Sequence, residues 1–217
     1  MLKTNRFDLT QSYTFSNYFD LNIEPEDLLA EFNYSFTRKQ LILPQSKQDF
    51  SSLASLKESL ERRLPFVSLS SEIARREVLI APILLTLIDY TQAQLRIEYS
   101  LTVSEQLKGS LDYYLHTQKS LIVIEAKKAD LSRGFTQLAI ELIALDRWLD
   151  DGKNPLYGAV STGDVWQFGR LDRRQKAIEQ DLNLFRVPAD LIELFSYLVG
   201  MLSDGKDDCD ARKAVKT

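Results

Sequence analysis

The sequence predicts a mixed α/β fold in which helices flank a central sheet. Residues 94–103 alternate apolar and polar side chains, which is typical of a strand with one face in water. Residues 121–124 are apolar throughout, as in a central strand buried on both faces. Residues 131–149 repeat apolar side chains at helical intervals. Strands followed by a helix and further strands are the element order of an α/β domain.

The N-terminal segment, residues 1–48, is predicted to form a β-rich layer. Residues 12–21 are rich in Phe and Tyr, and Phe32, Tyr34 and Phe36 alternate with polar residues. We expect these rings to fill a core rather than to stack on nucleic-acid bases. A short helix, opened by a proline and followed by acidic residues, is expected in the middle of the segment.

The same periodicities predict the other elements of the chain. Two helices are expected over 49–64 and 71–90, and Pro82 should kink or restart the second. The remaining predicted elements are strands over 111–115, 156–161 and 165–171, a turn over 118–120, a loop over 150–155 and a final helix over 189–202.

Length and composition favour one soluble domain. The 217 residues, with 44% hydrophobic and 27% charged residues, can bury one sizeable core. We expect this domain to span residues 1–203, with its core over 49–203, and the charged residues 204–217 to form a disordered tail. The single cysteine, Cys209, excludes an internal disulfide and fits a reducing compartment.

Charge and hydropathy restrict the location and the partners. No apolar stretch approaches the roughly 20 residues that a membrane helix needs. The N-terminus lacks the basic and apolar regions of a signal peptide, so a cytoplasmic location without a membrane partner is expected. The net charge of −4 argues against indiscriminate binding to nucleic acid, although local basic clusters could still bind it.

Two carboxylates and an ammonium group are predicted to meet at one spot on the sheet. Asp112 lies in a strand, while Glu125 and Lys127 close the apolar strand and lie two residues apart on one face. Neighbouring carboxylates repel each other unless a cation lies between them, which suggests a divalent metal beside a lysine. The alternative is a structural ion-pair network with Lys127 and Lys108.

This set of residues resembles the PD-(D/E)XK nuclease superfamily. The likeness rests on Asp112, the tripeptide Glu125-Ala126-Lys127, Gln137 and an acidic residue on the preceding helix. Together with segments 107–112 and 162–166, these residues look most similar to the N-terminal nuclease region of type I restriction motor subunits and to small stand-alone relatives of that region. The resemblance implies a restriction-endonuclease-like α/β/α core with a mixed central sheet, to which the N-terminal segment is an addition.

The resemblance also implies a metal-dependent nuclease that hydrolyses phosphodiester bonds. Asp112, Glu125 and the carbonyl of Ala126 would hold Mg²⁺ or Mn²⁺, Lys127 would position or deprotonate a water, and Gln137 would orient the lysine, the water or the substrate.

The helix acid is expected to be Glu77. It is preferred over Glu72 because its apolar neighbours should bring it nearer the core. In the family pattern, a proline often precedes the first acid; here that position is Leu111.

Four basic side chains are expected to contact the phosphates of nucleic acid, DNA in preference to RNA: Lys128, Arg133, Arg75 and Arg76. A solvated surface is the alternative for each of them. A homodimer would suit the cutting of both strands of a duplex, and a partner protein could supply specificity. The alternative function is a non-catalytic nucleic-acid-binding or protein-interaction module that retains the nuclease fold.

Overall fold

A mixed central sheet organises the protein, as the sequence predicts. The structure, a computed structural model, describes residues 7–8, 10–51, 53–117, 120–149 and 154–203. Within these ranges the strands are β1 (Ser35–Lys39), β2 (Gln94–Ser104), β3 (Leu107–His116), β4 (Leu121–Ala126), β5 (Leu156–Ser161), β6 (Val165–Asp172), β7 (Ala177–Asp181) and β8 (Phe185–Arg186). The α-helices are α1 (Phe15–Asp20), α2 (Pro25–Glu31), α3 (Leu53–Arg63), α4 (Glu72–Arg75), α5 (Ala81–Thr91), α6 (Leu131–Trp148) and α7 (Leu191–Leu202).

The strand order confirms the predicted meander and hairpin. The sheet runs β1-β7-β6-β5-β4-β3-β2, and β8 pairs with β6 beside this path. Strands β2, β3 and β4 are successive antiparallel neighbours, and β5 and β6 form an antiparallel hairpin. Strand β5 lies parallel to β4, and β1 lies parallel to β7. Helix α6 connects the parallel pair β4 and β5, so Glu125 and Lys127, at the end of β4, lie close to the start of α6.

Helices cover both faces of the sheet, and β4 is buried between them. Ile122 and Ile124 belong to a core that includes residues of α5 and α7, whereas Val123 belongs to a core that includes residues of α6. Alternate side chains of one strand therefore enter two different cores. This burial on both faces is the reason why β4 is apolar without interruption.

The N-terminal segment differs from the β-rich layer that the sequence predicts. In its described part, α1 and α2 precede a single strand, β1. Phe15 and Tyr18 are three residues apart and both buried, which is helical spacing. Phe32 directly follows α2, and Asn33 has a φ of 67°, so the aromatic alternation crosses a turn before β1 begins. The rings of Phe32, Tyr34 and Phe36 are buried, as expected.

The predicted helix over 71–90 is divided into three parts. Helix α4 continues into a π-helical segment, Arg76–Ile80, and then into α5. Pro82 stands in the first turn of α5. Proline has no backbone N–H, and in a continuous α-helix its ring would clash with the carbonyl four residues earlier. The wider turn of the π-helical segment avoids that clash. The predicted interruption at Pro82 is confirmed.

Strand β7 was not predicted, although it links β6 to β1. Its last three side chains, Glu179, Gln180 and Asp181, are polar yet buried, so the segment lacks the pattern of an ordinary strand. The predicted turn over 118–120 and loop over 150–155 lie mostly outside the described residues, and the predicted tail lies wholly outside them.

Candidate functional site

A row of acidic side chains crosses three neighbouring strands. Ile97 pairs with Tyr113 and Tyr99 pairs with Leu111, which sets Glu98 of β2 opposite Asp112 of β3. The last registered pair of β3 and β4 is Tyr113 with Ile124, and the next residues along the two strands are Asp112 and Glu125. The sheet therefore places three acids next to one another.

Asp112 is held at the point where the β3–β4 ladder ends. Its Oδ2 accepts the backbone N–H of Ala126 at 2.8 Å, so a side chain satisfies a donor at the end of the ladder. The opposite residue, Glu98, has a φ of 52°, which marks a local irregularity in β2. Burial raises the pKa of the Asp112 carboxyl, while the Ala126 N–H and the Arg76 guanidinium oppose that increase.

Arg76 reaches this acidic row from the π-helical segment. Its Nη1 lies 2.5 Å from Glu98 Oε1 and 3.7 Å from Asp112 Oδ1. Its Nε donates to the hydroxyl of Tyr113 at 3.3 Å, and the guanidinium lies 5.0 Å from the centre of that ring. Arg76 is thus an internal partner of the acidic row in this structure.

Glu125 and Lys127 form a recessed ion pair. The Glu125 side chain is 1% exposed, and its Oε1 accepts from Lys127 Nζ and from Gln137 Nε2, the latter at 2.7 Å. Burial, and then the neighbouring Glu141 and Asp112, raise the pKa of Glu125 well above its ordinary value. Its Oε2 is buried without a hydrogen-bond partner among the described residues. That oxygen is therefore both unsatisfied within the described protein and closed to bulk solvent.

Lys127 is held in its charged form. Burial acts to lower the pKa of this ammonium group, but Glu125, and then Asp112 and Glu72, outweigh the burial and raise it. Its Nζ lies 5.1 Å from the centre of the Phe19 ring, and its side chain is 13% exposed. A lysine in this state offsets negative charge rather than accepting a proton.

Glu141 is a further buried acid of the cluster, and the sequence reasoning missed it. Gln137 Nε2, which donates to Glu125, also donates to Glu141 Oε1 at 2.9 Å. Burial raises the pKa of Glu141 to about 8. Its Oε2 and the Oε1 of Gln137 have no hydrogen-bond partner among the described residues. The available signal was a carboxylate between apolar residues, four positions after Gln137 on α6.

The structure places Glu72, rather than Glu77, beside the lysine. Glu72 lines the same cleft as Lys127 and Gln137. Burial raises the pKa of Glu72, an effect that Lys127 opposes. Glu77 lies on the π-helical segment and is exposed, so the expectation that its apolar neighbours carry it toward the core is wrong.

The four basic residues predicted to contact phosphate have different surroundings. Arg75 donates to the carbonyls of Leu69 and Thr162 and to Asp164 Oδ1, at 2.7–2.9 Å, and Arg76 is paired as described above. Lys128 is exposed and lines the cleft. Arg133 is half-exposed, and its Nε lies 3.3 Å from Asp130 Oδ2. Lys128 and Arg133 are therefore the more accessible pair.

An open cleft of about 450 Å³ leads to Lys127. Helix α1 contributes Ser16, Phe19 and Asp20 to one side, and the segment 127–130 between β4 and α6 contributes to the other. The N-terminal segment, about which the family resemblance says nothing, thus forms a wall of the candidate site.

The cluster contains more acids than bases. Glu72, Glu98, Asp112, Glu125 and Glu141 lie around Arg76 and Lys127, so the cluster has five carboxylates and two cations when all are ionised. Carboxylate oxygens and a carbonyl such as that of Ala126 are donors of the type that hard divalent cations prefer. However, no group of three or more His, Cys, Asp or Glu within the described ranges is arranged to hold a metal ion.

Comparison of the chain with protein-family models, with curated proteins and with solved structures finds no match. Among the described residues, no helix has the length and apolar character needed to cross a membrane.

Proposed function

We propose that this protein is a metal-dependent nuclease that hydrolyses phosphodiester bonds, with DNA as the expected substrate and a restriction-endonuclease-like core. The observation that carries the proposal is the recessed pair Glu125 and Lys127 beside Asp112, with a buried oxygen of Glu125 left without a partner. A buried polar atom without a partner is costly in a native protein, and such atoms concentrate at functional sites.

The element order supports the proposed core. A helix, the antiparallel strands β2, β3 and β4, the helix α6 and then β5 parallel to β4 form one α/β/α unit. The candidate residues lie on β3, at the end of β4 and at the start of α6, which is the arrangement that the resemblance implies.

The residues present fit a hard cation by donor type and by charge. Asp112, Glu125 and the carbonyl of Ala126 would hold Mg²⁺ or Mn²⁺, and Glu72, rather than Glu77, would be the helix acid nearby. When bound, the cation supplies a water of lowered pKa and neutralises charge on the phosphate. The excess of carboxylates over bases in the cluster favours such a cation.

The chain's own residues would bind and orient the substrate. Lys127, held in its charged form, would offset the negative charge that develops on the reacting phosphate. Gln137 donates to Glu125 Oε1 and so fixes the orientation of that carboxylate, leaving Oε2 directed away from the hydrogen bonds. Arg76 competes for Asp112, and it would have to give up part of its contact with Oδ1 when a cation binds there.

The non-catalytic module remains the second candidate because Arg76 and Lys127 already pair with the acidic row. A closed network of ion pairs needs no metal. A protein of this kind would bind nucleic acid or another protein through the same cleft without turnover.

Cleavage of plasmid and single-stranded DNA with Mg²⁺ or Mn²⁺ tests the proposal. We expect Lys127→Ala and Asp112→Ala each to lower the rate by about 10²- to 10⁴-fold, because each removes charge from the reacting centre. Lys128→Ala is the matched control, since its side chain lies on the cleft but outside the buried cluster. We expect its effect to fall mainly on substrate binding.

Full activity in both Lys127→Ala and Asp112→Ala would exclude this mechanism. A wild-type protein that binds nucleic acid but cuts no substrate with either metal would support the non-catalytic module.

A further inference from the structure

The groups of the candidate site are recessed, and Lys127 connects them to the cleft that it lines. The side chains of Lys127 and Asp112 are 13% and 14% exposed, and that of Glu125 is 1% exposed. A double helix is stiff over about 150 base pairs, so its phosphates meet side chains that project from a protein surface. An unpaired strand can bend into a recess that a duplex cannot enter.

Helix α1, which forms one wall of the recess, is held in place by contacts with β3 and with the turn between β2 and β3. Phe15 is buried against Gly109, whose φ is 147°, and a Cβ on that glycine would lie 2.9 Å from the Phe15 ring. The Tyr18 hydroxyl donates to the carbonyl of Gln106 at 2.6 Å, and the Tyr13 N–H donates to the carbonyl of Glu105 at 2.9 Å. Helix α1 is therefore fixed to the β2–β3 turn.

Phe19 projects from this wall into the cleft. Its ring is half-buried, the Lys127 ammonium group lies over one face of the ring, and Lys128 lines the same cleft. An aromatic face next to two lysines provides what a single strand needs, namely a surface on which a base can stack and cations for the adjoining phosphates.

The charges of the cleft disfavour a duplex. Asp20, Glu72 and Asp130 line the cleft with Lys127 and Lys128, so acids outnumber bases when all are ionised. A duplex carries one charge per roughly 1.7 Å of axis, twice the density of one strand, and would be repelled more strongly. Stacking does not depend on charge, and it would supply binding free energy that the cleft's electrostatics do not.

We propose that the cleft is a binding site for single-stranded polynucleotide, in which a base stacks on Phe19 while its phosphate reaches Lys127. This inference rests on the proposed function and specifies its substrate class. It also assigns a role to the N-terminal segment, which supplies the stacking ring.

Fluorescence anisotropy with a labelled single strand of DNA, and with the same sequence as a duplex, tests the inference in the presence of EDTA. The full-length protein is compared with Phe19→Leu, which keeps apolar volume but removes the ring, and with Phe19→Tyr, which keeps the ring. Phe66→Leu is the matched control, because Phe66 is 88% exposed and does not line the cleft. Thermal unfolding of each variant verifies that it is folded.

We expect the wild-type protein to bind the single strand at least about tenfold more tightly than the duplex. Phe19→Leu should weaken single-strand binding by about tenfold, while Phe19→Tyr and Phe66→Leu stay within about threefold of wild type. Equal affinity for strand and duplex, binding of neither, or an unaffected Phe19→Leu would overturn the inference.

Cleavage with Mn²⁺ is measured separately on the same oligonucleotides. Single-strand binding that depends on Phe19 without cleavage would contradict the nuclease proposal alone. Cleavage with a preference for the duplex would contradict the stacking site alone.

Discussion

Glu72 and Glu77 are separated by five positions, and the two side chains lie in different surroundings. Glu72 lies on the cleft with Lys127, whereas Glu77 is exposed on the π-helical segment. We expect Glu72→Gln to lower nuclease activity by at least about tenfold, because it removes a carboxylate from the charged cluster. Glu77→Gln is the matched control and should change activity by less than about twofold.

The measurement is the initial rate of cleavage over a range of Mn²⁺ concentrations. A loss of cleavage activity in Glu77→Gln but not in Glu72→Gln would instead show that Glu77 is the helix acid, as the sequence predicts.

Glu141 should make the stability of the metal-free protein depend on pH. Its ordinary pKa of 4.5 is raised to about 8 by burial, so the folded protein keeps a proton that the unfolded chain loses. The stabilisation is therefore complete below pH 4.5 and is lost as the pH rises toward 8.

We expect the free energy of unfolding of wild type to fall by about 3–4 kcal/mol relative to Glu141→Gln between about pH 5 and about pH 8. Urea titrations in EDTA at several pH values measure this difference. Parallel pH profiles for the two proteins would show that Glu141 does not hold the proton.

Some residues of this cluster can be recognised from the sequence alone because they break a local pattern. Asp112, Glu125 and Lys127 stand out because they interrupt or end strand patterns. Glu141 is marked only by its apolar neighbours, and because carboxylates are common on the exposed faces of helices, that signal alone does not assign it to the site. The sequence favoured Glu77 over Glu72 because the neighbours of Glu77 are apolar, but on the π-helical segment Leu79 and Ile80 are buried while Glu77 is exposed.

At the level of elements, Arg75 joins α4 to the turn between β5 and β6. It donates to the carbonyls of Leu69 and Thr162 and to Asp164, and Gly163 in that turn packs against Leu79. Because its three acceptors lie on two separate segments, Arg75 holds α4 against the turn between β5 and β6.

We expect Arg75→Met to lower the free energy of unfolding by about 2–3 kcal/mol, since it leaves several acceptors without their charged donor. Arg133→Met is the matched control, and its exposed ion pair with Asp130 should contribute less than about 1 kcal/mol. Urea unfolding measures both. Equal stabilities, together with weaker DNA binding by Arg75→Met alone, would instead favour the predicted phosphate contact.

The elements that the sequence predicts well have regular patterns and apolar faces. Strands β2 to β6 and helix α6 lie within a few residues of the predicted positions, because alternation and helical spacing report burial directly. The β-rich layer predicted for the N-terminal segment is wrong because its aromatic residues alternate as in a strand, although a turn lies between them. Strand β7 is not predicted because its polar residues lack the pattern of a buried strand. They are buried through ion pairs with residues of other strands, such as those of Glu179 with Lys39 and Arg170.

On the scale of the whole molecule, the N-terminal segment is part of the sheet. Strand β1 pairs along its length with β7, and Phe36 packs 6.1 Å from Phe135 between ring centres. The Tyr34 hydroxyl donates to Asp146 on α6 at 2.6 Å. Removing this segment would expose both an apolar face and an edge of the sheet.

We expect deletion of residues 1–40 to abolish cooperative unfolding, because α6 and β7 lose their cover. Urea unfolding followed by far-ultraviolet circular dichroism and by tryptophan fluorescence should give one coincident transition for the full chain and none for the truncated chain. A truncated protein with a cooperative transition near that of the full chain would show that the core is independent.

The pairing of β1 with β7 also has a consequence for synthesis. Arg38 and its partner Gln180 are 142 residues apart in the chain. Strand β1 therefore stays without its partner strand until β7 has been synthesised, and closing so large a loop is slow. Helix α1 differs in this respect, because its contacts are with β3 and α6, which precede β7 in the chain. The wall of the cleft can therefore be fixed in place before β1 finds its partner strand.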